Sequence, residues 1–210
     1  MKKYRPYHQL GNGIHVPALT LDVGADYLVC QGIEAGGHVQ SSRPLHDILP
    51  EVLRESNDVP VLAAGGIGNG QKIWQALSAG AAGAVLGTRF LATKESRAHP
   101  EYKRAAIQAH AKDTVLSVCF QDGWPNATHR TIRNGTFLRW EAAGCPAAGK
   151  RPGEGDVLAH WPDGRQEIRY SSRSPVQDLQ GRVSDLVLSA GQGVDCGGPH
   201  FLDRKQAFLR

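Results

Sequence analysis

VPVLAAGGIGNG, residues 59–70, decides the fold. The run VPVLAA is apolar throughout and ends on Gly65 and Gly66. A strand with one face in water alternates apolar and polar residues, so an unbroken apolar run reads as a parallel strand covered on both faces. The same design recurs on either side. Upstream, ADYLVCQ at 25–31 is a short β-rich run bounded by Gly24 and Gly32. Downstream, AGAVL at 82–86 ends at Gly87 and Thr88. Residues 45–56 between the first two runs carry Ile48, Leu49, Val52 and Leu53 at helical spacing, with Pro50 expected to open the regular helix. Residues 70–79 carry Ile73, Ala76 and Leu77 on one helical face. Residues 25–88 thus alternate strand, helix, strand, helix, strand. Crossovers of this length make right-handed βαβ units. The class is α/β, and an open doubly wound sheet and a (β/α)₈ barrel both fit at this point.

After Thr93 the pattern changes. Residues 99–110 read as an amphipathic helix with Pro100 in its first turn. Short β-like pieces follow at 114–120, 131–140 and 167–170, separated by loops rich in Pro and Gly. The expected division is a divergent N-terminal segment at 1–23, a partial barrel at 24–111 and an appended irregular α+β region at 112–210, whose tail at 195–210 diverges.

Bulk composition is that of an ordinary globular chain. Of 210 residues, 40% are hydrophobic and 21% charged, which allows one sizeable core. The net charge of +4 is dispersed, with no basic stripe, so nucleic acid is not an expected partner. No apolar run approaches the ~18 residues of a membrane span, and the N-terminus lacks the apolar core of a signal peptide. The expected location is the cytoplasm, with Cys30, Cys119, Cys145 and Cys196 as free thiols. There is no G-x-G-x-x-G, no P-loop, no H-E-x-x-H and no G-x-S-x-G. These absences argue against a dinucleotide fingerprint, a metal centre and a nucleophilic serine.

The suggestive residues all fall where a parallel strand ends, the place where α/β architectures bind ligands. Gly65 and Gly66 lead from a strand into a helix, so their amides can approach a phosphate at a helix N-terminus. GTRF at 87–90 repeats the idea with the Thr88 hydroxyl. Either loop alone fits tight packing; two in series resemble the phosphate cradle of a barrel. His38, in QGIEAGGHVQ, follows Gly36 and Gly37 on the same rim and is the candidate acid–base group. Trp124 and Gln192 are candidate pocket residues, with loop or core packing the competing role for Trp124.

QGIEAGGH, VPVLAAGGIGNG and GAAGAVLGTRFLATKES, in that order, resemble nitronate monooxygenases. The resemblance continues through FQDGWPNATHRTIRN, WEAAGCPAAGKRPGEGDV and AGQGV, and covers residues 24–194. It implies an FMN-dependent (β/α)₈ barrel that oxidises alkyl nitronates with O₂ to carbonyl compounds and nitrite. The family's catalytic base falls on His38, and its FMN contacts fall on Gln31, Gly36, Gly37, Gly65, Gly66, Gly87 and Thr88. The implied partners are a small nitronate or nitroalkane and O₂. The family's barrel begins well before the strand at 25–31, so about the last three βα units of a barrel are expected, with a missing half or a homo-oligomer to complete them. Two alternatives remain: an NADH-dependent enoyl-thioester reductase on the same kind of barrel, and a non-catalytic, partner-dependent phosphate-binding fragment.

Overall fold

The computed structural model describes residues 9–10, 25–121 and 126–196. Its central element is a four-stranded parallel sheet in the order β1-β2-β4-β5. The strands are β1 (Gln9–Leu10), β2 (Leu28–Gln31), β4 (Val61–Ala64) and β5 (Gly83–Val85). β2 pairs with β4 from Leu28↔Val61 to Gln31↔Ala64, and β4 with β5 from Leu62↔Gly83 to Ala64↔Val85. β1 pairs parallel with β2 at Gln9↔Val29 and Leu10↔Cys30. The sequence pattern points to three strands here, not four. A strand of two residues has no periodicity to read.

Helices α1 (Leu45–Glu55) and α2 (Gly70–Ser78) form the crossovers. Leu49 and Ala76 pack on Leu28, Cys30, Val61 and Ala63 in one cluster. Full burial of a side chain the size of Leu28, Leu49 or Val61 contributes about 1.5–3 kcal/mol. Pro50 lies inside α1, which already begins at Leu45 behind Pro44. The proline removes the hydrogen bond to the His46 carbonyl, and His46 is exposed, so that carbonyl can turn to solvent. β2 is buried along its length and β4 at all but half-buried Leu62, as continuous apolar strands should be, whereas Val85 on β5 is 42% exposed. β5 is one edge of the sheet among the described residues, and β1 the other.

The C-terminal region is more regular than its sequence suggests. The short helix α3 (Thr88–Leu91) leads into α4 (Pro100–Gln108), capped by the His99 side chain. β6 (Thr114–Ser117) and β7 (His129–Ile132) form an antiparallel sheet with β3 (Gly37–His38), in the order β3-β7-β6. This sheet ties the exit loop of β2 to the region beyond residue 112. The stretch expected as β-like at 131–140 is mostly helix α5 (Gly135–Ala142). Asn134 caps it by accepting from the Phe137 N–H, and Thr136, Phe137 and Trp140 share its buried face. β8 (Val157–His160), β9 (Gln166–Ile168) and β10 (Gln180–Gly181) form a second antiparallel sheet, ordered β10-β8-β9. Arg169, directly after β9, is fully buried and pairs with Asp156 and Asp185. Cys30 and Cys119 are buried free thiols and Cys145 is an exposed one. No helix among the described residues is long and apolar enough to cross a membrane.

Candidate functional site

The exits of β2, β4 and β5 and the loop at 189–193 line a half-open cavity of about 330 Å³. Gln31, Gly36 and Gly37 line it from the first exit, Gly65 and Gly66 from the second, and Gly87 and Thr88 from the third. All the residues expected to contact a cofactor therefore meet in one place. The last wall is Ser189 together with Gly191 and Gly193 of the AGQGV stretch at 190–194.

Each loop is held by its own backbone chemistry. Gly65 and Gly66 have φ of +121° and +65°, a region in which a side chain is strained. They lead into α2, whose first turn is capped by Asn69 accepting from the Lys72 N–H at 2.9 Å. The Lys72 Nζ donates back to the Gly66 carbonyl at 2.9 Å, which puts a cation beside the loop. Amides at a helix N-terminus with a lysine alongside suit an anion.

Gly36 and Gly191 touch backbone to backbone. A Cβ on Gly36 would lie 2.3 Å from the Gly191 nitrogen, and one on Gly191 would lie 2.8 Å from the Glu34 carbonyl oxygen. The Gln192 N–H donates to that same Glu34 carbonyl at 2.9 Å. The Gly191 N–H donates to the Thr88 hydroxyl at 2.9 Å, so Thr88 clasps this loop and keeps its own hydrogen for a further acceptor. Arg130, buried on β7, donates twice to the Ile33 carbonyl, at 3.1 and 2.8 Å. Gln31 spends its amide inside the protein, donating to the His38 carbonyl at 3.1 Å and accepting from the Gln40 N–H at 3.3 Å. Its role in this geometry is to hold the β2 exit in shape as much as to face the cavity.

His38 sits beside the cavity, next to Gly37, rather than in its lining. Its ring is half-buried and tilts over His129, with centroids 4.3 Å apart and planes at 35°. Burial lowers the His38 pKa from its ordinary value, which favours the neutral imidazole. Burial pushes His129 down further, to about 4, with His38 nearby adding to the shift and the Phe120 carbonyl opposing it. Gln192 does not line the cavity; its neighbours Gly191 and Gly193 do. Trp124 lies outside the described residues. Sequence reasoning did not single out His129, Arg130 or Ser189. The one local signal was the glycine pair in AGQGV. His129 and Arg130 reach the site only through the long-range pairing of β3 with β7.

Parallel βα units with glycine-lined exits, a helix N-terminus and a histidine at the rim define an α/β protein with a cavity at the carboxyl ends of its strands. Within that class the chain belongs to the nitronate monooxygenase family, whose family model matches residues 16–193. It is 40% identical over 175 residues to a Rhodococcus jostii protein named (3aS,4S,5R,7aS)-5-hydroxy-7a-methyl-1-oxo-octahydro-1H-indene-4-carboxyl-CoA dehydrogenase, covering 80% of this chain and 49% of that one. It is 36% identical over 152 residues to a nitronate monooxygenase of Metarhizium robertsii, covering 66% of this chain and 42% of the relative. The crystal structure of nitroalkane oxidase from Streptomyces ansochromogenes superposes with a TM-score of 0.63 at 31% identity, over 90% of this chain and 52% of that one. The chain thus spans about half or less of the length of the relatives it matches.

Proposed function

We propose that this chain carries the flavin-phosphate and base side of an FMN-dependent oxidoreductase that converts alkyl nitronates and O₂ to carbonyl compounds and nitrite. The observation that carries the reading is the convergence of Gln31, Gly36, Gly37, Gly65, Gly66, Gly87 and Thr88 on one cavity beside His38. The residues present fit FMN. Side chains are absent where a planar ring would need close approach: a Cβ on Gly37 or Gly87 would meet nothing within 4 Å, leaving open space against the cavity. The amides of Gly65 and Gly66 and the start of α2 would hold the phosphate. Bound FMN would supply the redox chemistry between nitronate and O₂.

The residues of the chain do the rest. A nitro group makes its α-carbon proton acidic, and neutral His38 would accept that proton at a ring nitrogen, leaving the nitronate in place. The backbone at 35–37 fixes where the imidazole stands relative to the cavity. Buried Ala64 and Ile67, with half-buried Leu91, give the cavity apolar walls that would limit water at the reacting carbon. The sheet is part of a (β/α)₈ barrel, completed by a further half barrel or a second copy, with residues 112–210 as the appended region. The setting is cytoplasmic. The test is nitrite release from propyl nitronate in air by the purified chain supplied with FMN. Nitrite formed in proportion to protein supports the reading, and tight FMN binding without nitrite contradicts it.

A second reading is flavin redox chemistry on an acyl thioester. It is favoured by the Rhodococcus relative, named as a carboxyl-CoA dehydrogenase. Reduction of bound flavin by NADH, with no reduction by nitronate, would select it.

A further inference from the structure

His129 lies outside the cavity lining, yet everything around it points at His38. The register of β3 with β7 sets the two residues directly opposite, His38↔His129. Side chains directly opposite on an antiparallel pair share one face of the sheet. The rings are in contact at 4.3 Å between centroids. His129 is only 2% exposed, and its Nε2 lies 2.8 Å from the Ser189 hydroxyl oxygen. Ser189 is fixed in turn. Its carbonyl accepts from the buried Tyr102 hydroxyl, its backbone bridges to Thr131, and its hydroxyl lies 3.1 Å from that of Ser174. Ser189 also lines the cavity. A half-buried histidine on a glycine-rich loop would otherwise sample several rotamers. Here one side of its ring rests on a plate that cannot move without breaking these contacts.

We propose that His129 is a positioning residue for His38: its buried ring, anchored through Ser189, sets the tilt and reach of the His38 imidazole beside the cavity. This rests on the reading of His38 as the base. The electrostatics agree with the geometry. The titratable group facing His129 is His38 itself, since Arg130, next along the strand, points to the other face, toward the Ile33 carbonyl and the Thr114 hydroxyl. Tyr102, behind Ser189, is held protonated by burial. A plate that stays uncharged near pH 7 excludes water from one face of His38 without adding a charge beside it.

The experiment uses the full chain and two variants that split the role. His129→Phe keeps a ring but not the hydrogen bond to Ser189. His129→Gln keeps a hydrogen-bonding group but not the ring. NMR titration of the His38 Cε1–H is the first readout. The midpoint should stay low in His129→Phe and move up toward that of an ordinary histidine in His129→Gln. The second readout is turnover of neutral nitroalkane. kcat should fall about 10- to 100-fold in His129→Gln with little change in KM, and less in His129→Phe, because a small misplacement of a catalytic group costs rate before binding. Preformed nitronate should be affected less in both. Thermal melts show which variants fold, and either folded variant decides the matter. A His38 midpoint identical to wild type in His129→Gln, or displaced in His129→Phe, overturns the proposal. The NMR arm holds whether or not the chain turns over nitroalkanes, so failure of the functional reading would show only in the second readout.

Discussion

Two alanine substitutions, each adding one methyl to a glycine of the same cavity, should have opposite consequences. At Gly36 the new Cβ would sit 2.3 Å from the Gly191 nitrogen and 2.6 Å from the Ala190 carbonyl carbon. Both are backbone atoms of another loop, so no rotamer change relieves the clash; the loop at 189–193 must move away. Overpacking of this kind typically costs about 1–3 kcal/mol. For a chain of this size that is a fall in Tm of roughly 2–12 °C. The Gly191 N–H would also lose the Thr88 hydroxyl, opening the cavity wall. At Gly87, φ is −92° and a Cβ meets nothing within 4 Å. Stability should therefore change by no more than about 0.5 kcal/mol. That methyl would stand where the flavin is proposed to lie, so FMN affinity should drop about tenfold or more, equivalent to about 1.4 kcal/mol. Differential scanning calorimetry and isothermal titration with FMN on both variants measure the two effects. A Gly36→Ala protein that melts like wild type would refute the backbone seat between residue 36 and the 189–193 loop. A Gly87→Ala protein that binds FMN like wild type would remove the cavity from the account of cofactor binding.

Other outcomes follow from the same geometry. His38→Asn should lower turnover of neutral nitroalkane by about 10²–10⁴ while sparing preformed nitronate, and equal losses on both would assign His38 to substrate positioning instead. Gly66→Asp should abolish FMN binding by placing a carboxylate in the phosphate loop, and riboflavin should bind wild type more weakly than FMN; equal affinities in a titration would remove the phosphate from the argument. Stability should also depend on pH through His129. The unfolded chain protonates near 6.5 and the folded one only near 4, so stability is full above pH 6.5 and declines as pH falls from 6.5 to 4, by about 3 kcal/mol in all. Burial of His38 acts in the same direction. Urea denaturation of wild type and His129→Phe across that range checks this, and parallel curves would count against it.

The parts of the molecule legible in the sequence are those whose physics is local. β2 and β4 are buried on both faces, so their apolar runs are unbroken, and each ends on glycines because the chain must turn there beside a helix. The cradle was readable for that reason. α5 hides in the sequence because TFLRW carries the β-favouring residues Thr136, Phe137 and Trp140, and only the Asn134 cap marks its start. β1 and β3 are too short to carry a pattern. His129, Arg130 and Ser189 enter the site through strand pairing and bridges between distant segments, and no window of sequence contains that information.

The central claim is that this cavity holds FMN for chemistry on nitronates, and anaerobic spectroscopy tests it most directly. The chain, loaded with FMN, is titrated with propyl nitronate and, separately, with NADH while flavin absorbance is followed. Nitronate should bleach the flavin, admitting air should restore it with release of nitrite, and NADH should have little effect. Rapid bleaching by NADH with none by nitronate would contradict the claim.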